Sequence, residues 1–441
     1  MRRVCALFVY LGIVLLLGFA ASGKEVTLKE ALEVALVKNP DIKKAELSLA
    51  VAKSALSEAR EDTFSPTISL RETAGLFGVP GGFSLELKDT ISFDASLWEE
   101  AQVNLEKSKR SLEATREEVK KKVIAAYLDV LRAEGELALA EKTAELYREK
   151  VQSLLEGYEK GEVGSSALKE AQGRYKEAEA NLKALEAQLR LRKQEFFALL
   201  GEEMEEDVTF APLPEFSLSL PEETSLSSFV ALNDTVEDLE GQKRVLEASL
   251  SRLRREGRPQ ILLEGMYTRD GWSLSLGYNF SQESLDVALE KPLALSGSSS
   301  GDFSAGLAIS WTFSPSLSEK KKQAELERES LLLDLEVAKR NTLFDLQEKY
   351  LAVLRAKEIL ESKKMLLEAQ REIFEARKKQ FDLGVLDGTT LLESELGFLS
   401  AQNDYDSARY ELLESFLEFL RGIEEPILWE TLFPSQGGEN G

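Results

Sequence analysis

The heptapeptide "YLDVLRA" at residues 127–133 returns as "YLAVLRA" at residues 350–356, 223 positions later and with one change. Helical segments rich in Ala, Leu, Glu, Lys and Arg resemble one another by composition alone, so the match needs support from features that are not helical. Those features recur in the same order. Pro66-x-Ile68-x-Leu70 corresponds to Pro259-x-Ile261-x-Leu263, and Phe83 and Phe93 correspond to Phe303 and Phe313. Downstream, Gly161 corresponds to Gly384, Leu168 to Leu391 and Glu170 to Glu393, at the offset of the heptapeptide. An ordered series of unlike features marks an internal duplication, so the chain must fold as one supersecondary plan used twice.

Each copy contains a long stretch without proline, from Pro80 to Pro212 and from Pro315 to Pro426. Proline is the residue that most reliably breaks helices, so both stretches are free to run as rods. In the first, Ala126, Val130, Ala133, Leu137, Ala140, Ala144, Tyr147, Val151, Leu154 and Tyr158 alternate at four and three. That heptad seam calls for a coiled partner, and its alanines let the partner come close. The rods are predicted over about 97–158 and 317–381, or ~93 and ~98 Å at 1.5 Å per residue. Each ends at a glycine corner, "YEKGEVGSS" or "FDLGVLDGTT", followed by a returning helix at 167–200 or 390–421. Left-handed glycines stop helices in this way. A shorter helix precedes each Pro-x-Ile-x-Leu segment, at about 27–60 and 227–255.

Between short helix and rod lies a strand signal. In "FSLELKDTISF" (83–93) and "FSAGLAISWTF" (303–313), apolar and polar residues alternate over eleven positions with aromatics at both ends. Eleven residues is the reach of a tilted transmembrane strand, apolar toward lipid and polar toward a lumen. Paired with the segments that begin at Pro66 and Pro259, these make two hairpins and four strands. The second hairpin has a long connection, from about Arg269 to Gly301, which holds a further alternating piece, "WSLSLGYNF" (272–280). The pattern of that piece suits either a lengthened barrel strand or a flap over the mouth. Four strands cannot close a barrel, and an open sheet in lipid leaves backbone groups unpaired at several kcal/mol each. Oligomerisation is therefore expected. Two copies give eight strands, too few for an open pore; three give twelve strands and twelve helical columns.

Composition narrows the function. The chain has no histidine, and its one cysteine, Cys5, lies in the leader. Disulfides, thiolate or imidazole metal sites, cysteine nucleophiles and His-based triads are excluded from the mature chain. "GSSSG" (297–301) fits a hydrolase-elbow pattern but has no His to serve as base, and reads as a loop. No cofactor motif is present. Arg2 and Arg3, the apolar run Val4–Phe19 and the small residues to Gly23 have the layout of a secretory signal peptide, with an uncleaved helical anchor as the alternative. A formal charge of −23 makes nucleic acid an unsuitable partner, since a polyanion is repelled.

The stretches "LKEALEVALVKNPDIKKAE", the two heptapeptides and the corners "GEVGSSALKEAQ" and "GVLDGTTLLESE" resemble the TolC-like outer membrane efflux proteins, over nearly the whole mature chain. The resemblance implies a homotrimer with a 12-stranded β-barrel in outer membrane lipid, continued into the periplasm by an α-helical barrel. It implies no enzymatic activity and no cofactor, but an exit duct for a tripartite efflux or type I secretion system. A periplasmic adaptor and an inner membrane transporter would dock at the helical tips around Gly161, Gly164, Gly384 and Gly388. Some members close the tip with a Tyr, Asp and Arg latch; the matching positions here are Phe381, Ala167 and Leu386, which cannot form it. Of two acidic rings in such members, one position is Thr390 here and the other Glu393. Glu393, with Asp387 and Glu162, is the candidate acidic constriction, against the plainer reading of solvated turn residues. No lipid-accepting cysteine follows the leader.

The expected organisation is a signal peptide (1–23), a first repeat (24–201; hairpin about 64–93, tip turn 159–166), a linker packed on the rods (202–225), a second repeat (226–422; hairpin about 259–313, tip turn 382–389) and a tail (423–441). The alternative is a periplasmic adaptor or structural coiled-coil protein. Adaptors keep one helical hairpin, whereas this chain has two.

Overall fold

The computed structural model describes residues 25–61, 67–73, 82–92, 95–204, 208–216, 218–256, 260–269, 272–280, 284–292, 302–310 and 315–433. The expected signal peptide, the GSSSG segment, residues 77–81 of the first hairpin turn, Phe93, Trp311 and Phe313 lie outside them.

In chain order the elements are β1 (Glu25–Val26), α1 (Leu28–Lys38), α2 (Pro40–Glu61), β2 (Thr67–Thr73), β3 (Gly82–Ser92), α3 (Ala95–Glu159), α4 (Ser165–Leu200), β4 (Thr209–Phe210), α5 (Leu226–Phe229), α6 (Asp234–Glu256), β5 (Gln260–Arg269), β6 (Trp272–Asn279), β7 (Ser284–Pro292), β8 (Asp302–Ser310), α7 (Pro315–Asp382), α8 (Gly388–Gly422) and α9 (Trp429–Leu432). The rods α3 and α7 are 65 and 68 residues long, about 98 and 102 Å of helix. No described helix is long and apolar enough to cross a membrane.

The helices expected at 27–60 and 227–255 are each interrupted. Asn39 takes extended torsions, and its side chain accepts from the N–H of Asp41 at 2.8 Å. The break follows from Pro40, which disfavours helical torsions in the preceding residue and suits the first turn of the next helix. Asn233 does the same without a proline, accepting from the N–H of Thr235 at 3.1 Å. In both places an Asn side-chain oxygen accepts from a backbone N–H left orphaned at a helix start.

Two compact units emerge. The first comprises the described residues up to Lys43, Arg116–Pro221 and Gln347 onward. Its core explains why Tyr127 stands at the head of the heptapeptide. The Tyr127 ring is 1% exposed and meets Phe196 edge-on at 5.8 Å and Phe210 at 5.3 Å. Its hydroxyl lies 2.6 Å from the carbonyl of Ala211 and 3.0 Å from that of Val26, clamping the parallel pair β1–β4. At the same offset, Tyr350 meets Phe419 edge-on at 5.9 Å. The 202–225 segment contributes Val208, Phe210 and Leu213 to this core, and the C-terminal segment contributes Ile427, Leu432 and Phe433. The Ile427 N–H donates to Glu117 at 2.7 Å, and Lys120 donates to its carbonyl at 3.0 Å.

The second unit, Lys44–Thr115 and Glu222–Leu346, carries the sheet. Arg110 of α3 holds α6 through Glu237 and Asp238, each at 2.6 Å, and Gly241 leaves room for Val103, whose Cγ1 would lie 2.9 Å from any Cβ there. The described sheet has six strands in the order β2-β3-β7-β6-β5-β8, every neighbour antiparallel. The two expected hairpins are present: Ile68 is opposite Leu87, and Ile261 opposite Ile309. The expected count of four strands is corrected to six, because the 269–301 connection folds as a hairpin of its own, inserted between β3 and β5. The physical reason is in its residues, which alternate in "WSLSLGYN" and "SLDVALEKP", so that strand pairing satisfies the backbone while leucines and valine share one face.

Candidate functional site

Two regions carry candidate functional residues, the helical corners and the sheet. At the first corner Gly161 has φ +77°; its N–H donates to Tyr158 at 3.0 Å and that of Glu162 to Gly157 at 2.9 Å. At the second, Gly384 has φ +71°, with its N–H on Phe381 at 2.8 Å and that of Val385 on Gln380 at 3.0 Å. Both are the same left-handed cap, which closes the end of a rod and releases the chain toward the returning helix. Gly164 and Gly388 open the returning helices α4 and α8.

The corners differ in chemistry. The first presents Glu159, Lys160 and Glu162, all exposed. The second presents Leu383 and Val385, exposed to 78% and 76%. Asp387 caps α8: its carboxylate accepts from the N–H of Thr390 at 3.3 Å and from the hydroxyls of Thr389 and Thr390. These bonds, the Thr389 hydroxyl foremost, hold its pKa below the ordinary value. Glu393, one turn further, pairs with Lys150 of α3 at 2.6 Å. It heads a ladder between α3 and α8 that continues through Lys142–Glu395 at 3.5 Å, Arg132–Glu414 at 2.7 Å and Lys121–Glu418 at 2.7 Å. Asp387 and Glu393 thus have intramolecular partners, while Glu162 sits on the other corner. The sequence did not mark Lys150, because it lies 243 residues from its partner. Ala167, a position matched to the latch, lines a shallow cleft of about 440 Å³ with Tyr147, Lys150, Glu170, Arg174 and Thr389.

The sheet has two unlike faces. Register places Leu263, Leu274, Leu289 and Leu87 on one side, with Ile261, Tyr267, Leu276, Phe303, Leu307 and Ile309. Several are strongly exposed, including Phe303 at 73% and Ile309 at 68%. The opposite side carries Lys88, Glu264, Ser275, Asp286 and Ser304 and is hollowed by a cavity of about 650 Å³. Soluble proteins rarely expose so continuous an apolar surface. Alternation of this kind, over strands of 8 to 11 residues in β3 and β5 to β8, is what a bilayer demands of a barrel wall.

A family profile described as "Outer membrane efflux protein" matches residues 31–202 and 242–420. The chain belongs to the outer membrane efflux protein family. Among relatives, the chain is 25% identical over 316 residues to the alkaline protease secretion protein AprF of Pseudomonas aeruginosa; the match covers 68% of this chain and spans 61% of that relative's length. Solved structures of similar fold include the Campylobacter jejuni outer membrane channel CmeC, with TM-score 0.66, 13% identity, and 93% of this chain and 87% of that one covered. The open state of the Neisseria gonorrhoeae outer membrane channel MtrE gives TM-score 0.64, 15% identity, and 92% and 90% covered. This member of the outer membrane efflux protein family thus has the mostly helical fold of such channels.

Proposed function

We propose that the chain is a subunit of a homotrimeric outer membrane exit duct, serving an efflux or type I secretion system. The observation that carries this reading is the two-faced sheet: one apolar, exposed side for lipid and one polar, hollow side for a lumen. Family membership supports it. Assembly is supported by α7, on which Leu326, Leu333, Val337, Phe344, Leu351, Leu354 and Met365 repeat at heptad positions and are all exposed. An apolar heptad seam left open on one chain is a surface for another helix. The corners at Gly161, Gly164, Gly384 and Gly388 are the docking tip for a periplasmic adaptor joined to an inner membrane transporter. The apolar corner at Leu383 and Val385 supplies the adhesive part. Glu393, Asp387 and Glu162 from three copies form the acidic constriction, with Lys150 holding Glu393 in place.

The test is reconstitution. Protein extracted from outer membranes with detergent should run as a heat-modifiable trimer and conduct ions across a planar bilayer. Glu393→Gln leaves Lys150 uncompensated and should move the reversal potential in a salt gradient away from cation preference. A water-soluble monomer released by osmotic shock would sink the duct, and an unshifted reversal potential would remove Glu393 from the constriction.

A further inference from the structure

Six strands change the arithmetic of closure. We propose that the β6–β7 hairpin is part of the membrane wall and that copies join β8 of one to β2 of the next, so that three copies close an eighteen-stranded barrel. This rests on the membrane sheet and trimer proposed above, and replaces the twelve strands that four per chain would give.

Three observations carry it. First, β6 and β7 are not laid over the sheet but hydrogen-bonded into it, β7 to β3 over nine register pairs and β6 to β5 over eight. A plug or flap would leave β3 and β5 as neighbours. Secondly, the hairpin keeps the parity of the wall: Leu274, Leu276, Val287 and Leu289 share the side of Leu263 and Leu307, while Ser275 and Asp286 share the polar side. Thirdly, because every pair is antiparallel and the strand number is even, β2 and β8 run in opposite directions. The free edge of β8 therefore meets a neighbouring β2 antiparallel, the arrangement of every other pair in the wall. Six strands cannot close alone, and their two edges cannot remain unpaired in lipid. The joint is head-to-tail, which generates rings. Barrel diameter grows roughly linearly with strand number, so the mouth is about half again as wide as with twelve strands.

The test uses the full chain with Cys5→Ser and single introduced cysteines. Fluorophores at Leu276→Cys and Val287→Cys in reconstituted trimers should lose emission to brominated lipid and not to iodide, while Ser275→Cys and Ala288→Cys should show the reverse. Separately, one cysteine at Ile68 or Leu70 and one at Leu307 or Ile309 should, in at least one pairing, oxidise to covalent trimers on a denaturing gel. Conducting trimers in which iodide reaches Leu276 and Val287 as readily as Ser275 would overturn the wall assignment and leave the duct intact. Conducting trimers in which no edge pair cross-links between chains, or a native mass of two copies, would overturn the closure. Absence of channels altogether would instead refute the function proposed above.

Discussion

The left-handed residue that ends each returning helix differs between the repeats. Gly201 has φ +72°, with its N–H on Ala198 and that of Glu202 on Phe197. At the equivalent place, 223 residues on, stands Glu424 with φ +55° and the same pair of bonds, to Arg421 and Leu420. A side chain in this region costs about 1–2 kcal/mol, where glycine costs nothing sterically. Glu424→Gly should therefore raise the thermal midpoint of the protein, by the equivalent of about 1 kcal/mol per chain, and Gly201→Glu should lower it; scanning calorimetry reads both. Buried phenols give a pH signature. Burial, reinforced by Asp406, pushes the Tyr410 pKa up to about 12, and burial with Glu134 raises that of Tyr127, from an ordinary 10.0. The unfolded chain releases these protons first, so the phenols' contribution is intact below pH 10 and is lost as pH rises toward 12. Each contributes a slope of up to about 1.4 kcal/mol per pH unit, and Tyr410→Phe should flatten the fall of stability measured by denaturant titration above pH 10. The duplication was legible at this scale, because Tyr, Gly and Pro recur at fixed offsets. The left-handed Glu424 was not, because nothing in the local sequence distinguishes a strained carboxylate from a helical one.

Among elements, the α3–α8 contact shows how a close approach is built. Gly135 faces the Asn403 side chain, which occupies the space a Cβ would take. Nearby, Arg132 grips Glu414 with both terminal nitrogens, at 3.1 and 2.7 Å, and Asp129 at 3.0 Å. Arg132→Ala should cost about 1.5–3 kcal/mol, the range for hydrogen bonds to charged groups. Part of that loss should disappear in high salt, since the two side chains are still 24% and 32% exposed; chemical denaturation at two ionic strengths separates the components. Helix type and length were readable from proline spacing and heptads, to within two residues at the rod ends. The split at Asn233 was not, having no proline to announce it. The β6–β7 hairpin escaped because its alternating piece carried no partner signal: Asp286 breaks the apolar look of "SLDVALEKP", and only the register shows that this residue faces the hollow side.

At the level of the whole molecule, one heptapeptide serves two purposes. Leu128 is fully buried, whereas its counterpart Leu351 is 58% exposed, on the open seam of α7. A duplicated sequence thus supplies both the interior of one chain and, in the assembly proposed above, the surface that a second copy covers. Leu351→Glu and Phe344→Glu should leave the helix content by circular dichroism unchanged while abolishing heat-resistant trimers on semi-native gels. Fold class was legible here because period and chain length left few alternatives; the tip chemistry was not, because Glu393 finds its partner, Lys150, on a helix 243 residues away. The opposed directions of β2 and β8 have one more consequence. An edge that accepts its own opposite has no intrinsic stopping point, so what ends growth at a ring and not a ribbon is curvature: a substitution that flattened the sheet, without touching either edge, would turn a pore-former into a polymeriser.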